Sequence, residues 1–184
     1  MRADAKRNRE RIVEAARVVF REQGYDASLD AVAKRAGVGP GTLYRHFATR
    51  EDLVDAILQS WVTRVDETVE KALAFEGPPR ELLLNWFENY VALLSAYKGS
   101  PAKITSAIGD PDSPIVTKCQ VLVAANERVL ERLDDSDALR EGTDAIQVSR
   151  LVGGVATVAD NADLPVESVR PLLEVVVDGL VVPA

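Results

Sequence analysis

Apolar residues recur at helical spacing along almost the whole chain. Between Lys6 and Gln23, Ile12, Ala16, Val19 and Phe20 fall on one face at i, i+4, i+7 and i+8, which predicts a first helix stopped by Gly24. Ser28 is a side-chain cap for a short second helix, LDAVAKRA, with Leu29, Val32 and Ala33 turned inward and Gly37 at its end. Pro40 suits a first helical position, so a third helix is predicted over Pro40–Phe47, with Leu43 and Phe47 inward. Gly41, Thr42, Tyr44, Arg45 and His46 are left on the outer side. Thr49 with Asp52 makes a capping-box start for a long fourth helix, Arg50 to about Phe75, roughly 38 Å at the α-helical rise.

Gly77-Pro78-Pro79 is the clearest break. Four or five further helices are predicted beyond it, near 80–97, 101–109, 113–134, 144–161 and 165–181, separated by clusters of turn formers. No alternating strand pattern, repeat or low-complexity tract interrupts them. The expected class is all-α: a helix-turn-helix module over 1–50, a connecting helix over about 50–75, and a helical bundle within 51–184.

Charge sharpens this division. Residues 1–50 carry 11 Lys and Arg against 6 Asp and Glu, a local +5, which leaves −12 for residues 51–184 out of the total of −7. A basic module on an acidic body implies that only the N-terminal part meets a polyanion. Apolar residues reach 47%, enough for a real core, and no run of them is long enough to span a bilayer, so no membrane partner is expected. The lone Cys119 and the absence of a signal-peptide pattern at the start fit a reducing cytoplasm.

Catalysis is not expected. His46 is the only histidine, so no histidine pair is available for a metal or for acid–base work, and Cys119 lies far from it in the other module. GVGPG lacks the Gly-Lys-Ser/Thr ending of a phosphate loop. No catalytic residue, metal or cofactor is assigned.

At residues 28–57, SLDAVAKRAGVGPGTLYRHFATREDLVDAI resembles the DNA-binding signature of the tetracycline-repressor (TetR) family of bacterial transcription regulators. The likeness lies in the Ala-x-x-Ala-Gly-Val turn, the Thr-Leu-Tyr-x-His-Phe helix and the basic residue before the acidic start of helix four. Two positions depart from the usual pattern: Gly39 stands where serine is common, and Arg50 where lysine is common.

The resemblance implies a homodimeric, ligand-responsive regulator, a repressor on an inverted-repeat operator in double-stranded DNA, released by a small apolar or amphipathic effector. The DNA-binding set is then Ser28, Gly39, Pro40, Gly41, Thr42, Tyr44, Arg45, His46 and Arg50, with Lys6 and Arg7 in a basic arm that also holds Arg2 and Arg9. Arg45 can fork onto guanine and Thr42 can offer hydroxyl or methyl, while by resemblance Tyr44 and His46 hold phosphates. Helix four, shared by both modules, is the expected lever between effector and operator.

In the bundle, the helix at 80–97 has two apolar stripes, Leu83/Phe87/Val91/Leu94 and Leu82/Trp86/Tyr90/Tyr97. The helix at 113–134 has one, broken by Asn126, whose amide must pair internally, meet water or meet a ligand. Trp86, Tyr90, Cys119 and Asn126 are the candidate effector-lining residues. The last two helices are apolar enough to form a four-helix dimer seam, with Val148, Val152, Val155, Val169, Leu173, Val176 and Leu180 as its candidates. Pro171 predicts a kink or a delayed start of the last helix. A ligand-binding or scaffolding dimer without sequence-specific DNA binding is the alternative reading.

Overall fold

The end signals read from the sequence are used in the chain as hydrogen bonds. A computed structural model describes residues 2–23, 27–95, 99–113 and 115–182. Among these, the helices are α1 (Arg2–Gln23), α2 (Leu29–Ala36), α3 (Pro40–His46), α4 (Arg50–Leu73), α5 (Pro79–Leu94), α6 (Ser100–Ala107), α7 (Val116–Asp134), α8 (Ala145–Asn161) and α9 (Val166–Leu180). Gly24, expected to stop α1, and Tyr97 lie outside the described residues. Pro171 stands inside α9, so the helix begins before it, and the delayed start is ruled out.

The chain divides into two compact units, residues 1–64 and 65–184, with the boundary inside α4. In the first unit, Ser28 Oγ accepts the Ala31 amide at 3.1 Å and so caps α2. Gly37 leaves α2 through the left-handed region (φ +64°), and its amide and that of Val38 take up the carbonyls of Lys34 and Ala33. Thr49 and Asp52 exchange bonds at the head of α4: the Thr49 amide donates to the Asp52 carboxylate (3.0 Å), and the Asp52 amide to Thr49 Oγ1 (3.1 Å). Between these fixed ends, Ile12, Ala16 and Val19 of α1, Val32 and Ala33 of α2, Leu43 and Phe47 around α3, and Leu53 of α4 form one core.

The second unit is built around α5, whose two stripes are both buried in their described residues. Leu83, Phe87, Val91 and Leu94 lie on one side, Leu82, Trp86 and Tyr90 on the other, and α8 and α9 pack against this helix. α6 approaches α8 closely at Gly153, where a Cβ would collide with the Thr105 side chain. The end of α4 is fastened to α7. Arg132 donates to the carbonyls of Ala72 (2.8 Å), which also accepts the Phe75 amide (3.2 Å), and of Leu73 and Phe75 (2.5 Å), and Arg128 pairs with Glu70 at 2.6 Å. A short bridge between Leu139 and Val181 closes the unit, with the Arg140 amide on the Leu180 carbonyl (2.8 Å) and the Val182 amide on that of Ala138 (2.9 Å).

Gly37 is held by its backbone to a conformation that favours glycine, and a Cβ there would also stand 2.8 Å from Arg11 Nη2, so that side chain would have to shift. Gly37→Ala is expected to destabilise the N-terminal unit by about 1–2 kcal/mol, the ordinary cost of forcing an L-residue into the left-handed region. Urea denaturation followed by circular dichroism checks this, and an unchanged midpoint would contradict the assignment.

Candidate functional sites

On α3 the inward pair Leu43 and Phe47 is buried, and this fixes which side of the helix faces out. Tyr44 is 50% exposed, and Gly39, Pro40, Gly41 and Arg45 are exposed beside it, with Thr42 and His46 partly so. Arg45 Nη2 donates to Thr42 Oγ1 at 2.9 Å, so these two polar groups are already aligned on the helix surface. Gly39 has an ordinary extended backbone (φ −70°), and a Cβ at Gly39 or Gly41 would meet nothing within 4 Å. Neither fold geometry nor internal packing requires glycine at these two positions. An external surface approaching the backbone would.

The basic residues around this face are partnered within the unit. Lys6 lies 4.0 Å from Glu10, Arg7 pairs with Asp4, and Arg35 pairs with Glu22 at 2.9 Å. The Arg7 hydrogen bond holds the Asp4 carboxyl below its ordinary range. Arg9 lies over the Phe47 ring, 5.2 Å from its centroid, covering the end of α3. Ser28 spends its hydroxyl on the α2 cap.

Arg50, expected in the DNA-binding set, is engaged within the unit. Its Nη2 donates to the Ala27 carbonyl at 2.8 Å, and its guanidinium lies 5.3 Å from the Phe20 centroid. This arginine is folded inward, tying the head of α4 to the α1–α2 connection. A forked head can satisfy a carbonyl and stack on a ring together, which an ammonium does less well.

Trp86, Tyr90 and Asn126, expected to line an effector site, pack together in the interior. Asn126 is fully buried and satisfied by its own chain: Trp86 Nε1 donates to its Oδ1 (3.0 Å), while its Nδ2 donates to the Ala145 carbonyl and to Ser149 Oγ (both 3.1 Å). The amide therefore pins α7 to α5 and α8. Trp86 and Tyr90 are buried and meet edge-to-face, 5.7 Å between centroids. Among the described residues, the Tyr90 hydroxyl has no hydrogen-bond partner. Burial pushes its pKa up to about 12, and Ser149 stands near enough to oppose part of that rise without reaching bonding geometry.

The open space lies on another face of α7. A groove of about 480 Å³ is bounded by Ala107 at the end of α6, by Gly109, Asp110 and Pro111 after it, by Val116, Cys119, Gln120, Val123, Ala124 and Glu127 along α7, and by Ile146 on α8. Of the four expected lining residues only Cys119 borders it, and its thiol reaches the Ile104 carbonyl at 3.5 Å. The missed residues carried one readable signal, Gln120 and Glu127 flanking Val123 and Ala124 at helical spacing.

The seam candidates divide. Val148, Val152 and Leu173 are buried within their own unit, so they are core residues and not surface ones. Val155, Val169, Val176 and Leu180 are partly exposed, and they border the outward apolar residues Leu151 (55%), Val158 (54%) and Val175 (74%).

Comparison with known proteins bears on both units. Residues 12–57 match the family model described as bacterial regulatory proteins, tetR family, and residues 78–182 match that of the SbtR-like transcriptional regulator C-terminal domain. A TetR transcriptional regulator of Streptomyces coelicolor is similar in structure, with 31% identity, a TM-score of 0.74, and coverage of 96% of this chain and 99% of that one. A TetR transcription regulatory protein of Mycobacterium vanbaalenii is 29% identical, with a TM-score of 0.68 over 98% and 99% of the two chains. An HTH-type transcriptional regulator of Staphylococcus aureus is 48% identical over 60 residues, a match spanning 32% of that relative's length.

Two substitutions separate structural from spare polar groups in the buried cluster. Asn126→Ala strands the Trp86 N–H and leaves a small void, so it is expected to cost about 2–4 kcal/mol. Tyr90→Phe removes a hydroxyl that bonds to nothing, so it is expected to be neutral or stabilising by about 1 kcal/mol. Chemical denaturation checks both, and equal losses would refute the contrast.

Proposed function

Because the chain belongs to the TetR family of bacterial regulatory proteins, we propose that it is a ligand-responsive DNA-binding transcriptional regulator, acting in the cytoplasm as a homodimeric repressor. The observation that carries this reading is the outer face of α3. A helix with one glycine inside it and another at its N-cap, neither held there by internal packing, together with an exposed tyrosine and an arginine, suits the major groove, where the backbone comes close and a guanidinium can reach guanine. Two copies of this helix about 34–36 Å apart would read the halves of an inverted repeat.

A second copy of the chain is the natural cover for the apolar outer face of α8 and α9. Leu151, Val155 and Val158 lie along one side of α8, and Leu172 and Val175 along α9. Such a face on two neighbouring helices suits a four-helix seam across a two-fold axis.

Effector response fits the way α7 is used. One face of this helix borders the groove, while Arg128 and Arg132 hold the C-terminal end of α4. A ligand that prefers one arrangement of α7 thereby biases α4, the helix that continues into the N-terminal unit, and it releases the operator only as far as that preference extends.

Gel-shift against the DNA upstream of its own gene, at several salt concentrations, together with selection from random sequence, tests the regulator reading. Arg45→Ala is expected to weaken the preferred site by about 1–3 kcal/mol and relax its sequence preference. If no sequence is preferred, the chain is a helical ligand-binding or scaffolding dimer. Leu151→Glu combined with Val175→Glu is expected to yield monomers by sedimentation velocity, with helix content retained. A persisting dimer would move the seam elsewhere.

A further inference from the structure

The groove beside α7 has a definite chemical character. Its walls are aliphatic, from Pro111, Val116, Val123 and Ile146, and its charged lining groups are both carboxylates, Asp110 and Glu127. Among the described residues, no lysine, arginine or histidine lines it. Arg150 stands at the Gly109 end, its Nη2 2.8 Å from where a Gly109 Cβ would lie, and that nitrogen is engaged with the Ile108 carbonyl at 2.9 Å.

The two carboxylates are not equivalent. Asp110 is partly used, since its Oδ1 accepts the Asp112 amide at 3.0 Å within the turn. Glu127 has no hydrogen-bond or ion-pair partner among the described residues. On its own helix the side chains three and four positions away are Val123, Ala124, Leu130 and Glu131, which offer no cation and one further negative charge. The lining positions of α7 run from Val116 to Glu127, about 16 Å at the helical rise, so the apolar wall ends at an unneutralised carboxylate.

Ile146 is turned toward the groove rather than toward the proposed seam. Five residues separate it from Leu151, which at about 100° per residue places the two roughly 140° apart around α8. A second copy covering Leu151 and Val158 therefore leaves the groove to another occupant.

From this complementarity we infer that the effector is an amphipathic organic cation, its apolar body along α7 and its positive head beside Glu127. The inference rests on the ligand-responsive reading above and gives it a ligand class. Apolar area supplies the attraction, and charge supplies the choice. An anion of the same shape meets two carboxylates inside an acidic unit, so discrimination comes from repulsion as well as from pairing.

The test uses the full-length dimer and three probes of equal chain length: octyltrimethylammonium, octanoate and octanol, each below its micellar concentration. Isothermal titration is expected to give octyltrimethylammonium the tightest binding, at one site per chain, with octanoate at least about tenfold weaker. Glu127→Gln should lower affinity for the cation about three- to tenfold, the range of a partly exposed ion pair, and leave octanol unchanged. Ala124→Trp, which fills the groove from an exposed position, should abolish all three. Octanoate binding as tightly as the cation, an unchanged cation affinity in Glu127→Gln, or full binding by Ala124→Trp would each overturn the inference. Operator binding by the ligand-free protein, measured in the same preparations, distinguishes the two failures: if it persists, only the ligand class falls, and if it is absent, the regulator reading falls.

Discussion

A helix of seven residues does not hold itself together in water, because the cost of nucleation exceeds what so few hydrogen bonds return. What keeps α3 helical is burial of Leu43 and Phe47 against α1, α2 and α4. The same burial fixes its rotation, so Tyr44 and Arg45 face outward because the opposite side is committed to the core. Phe47 also ends the helix, its amide closing on the Leu43 carbonyl, and supplies the ring over which Arg9 lies. The candidate recognition surface is thus set by packing behind it rather than by contacts among the exposed residues themselves.

This explains which parts of the fold were legible in the sequence. The N-terminal unit is made of short helices with strong end signals, such as Ser28, Gly37, Pro40 and the Thr49/Asp52 pair, and local chemistry at each end leaves little choice. The inward residues follow from spacing. The internal partners of Arg50 were not legible, because sequence gives a side chain's charge but not the direction of a long flexible stem. The Ala27 carbonyl and the Phe20 ring, distant in sequence, decided that direction.

The bundle was legible as helices but less so as surfaces. α8 is apolar over more than half its circumference, and periodicity does not say which half faces inward. The choice was made by the small residues Ser149, Gly153 and Ala156, which allow close approach and draw Val148 and Val152 into the core with them. Asn126 was ambiguous for a related reason. Its partners, Trp86, Ala145 and Ser149, come from two other helices, and no local pattern announces a three-way bond. With Trp86 and Asn126 tied to each other, the space open to a ligand falls on the face of α7 that carries Gln120 and Glu127.

Along α1, the cations nearest the proposed operator travel with their own counter-ions: Lys6 beside Glu10, and Arg7 on Asp4. On that reading, docking on a duplex is an exchange of partners rather than the filling of vacant positive sites. Each cation that turns to a phosphate leaves a carboxylate facing the polyanion. On the same reading, each of these exposed pairs takes a little from adhesion to arbitrary sequence, while the contacts proposed for α3 at a matching site are untouched. A chain arranged this way spends less of its time stranded on the wrong stretches of a genome.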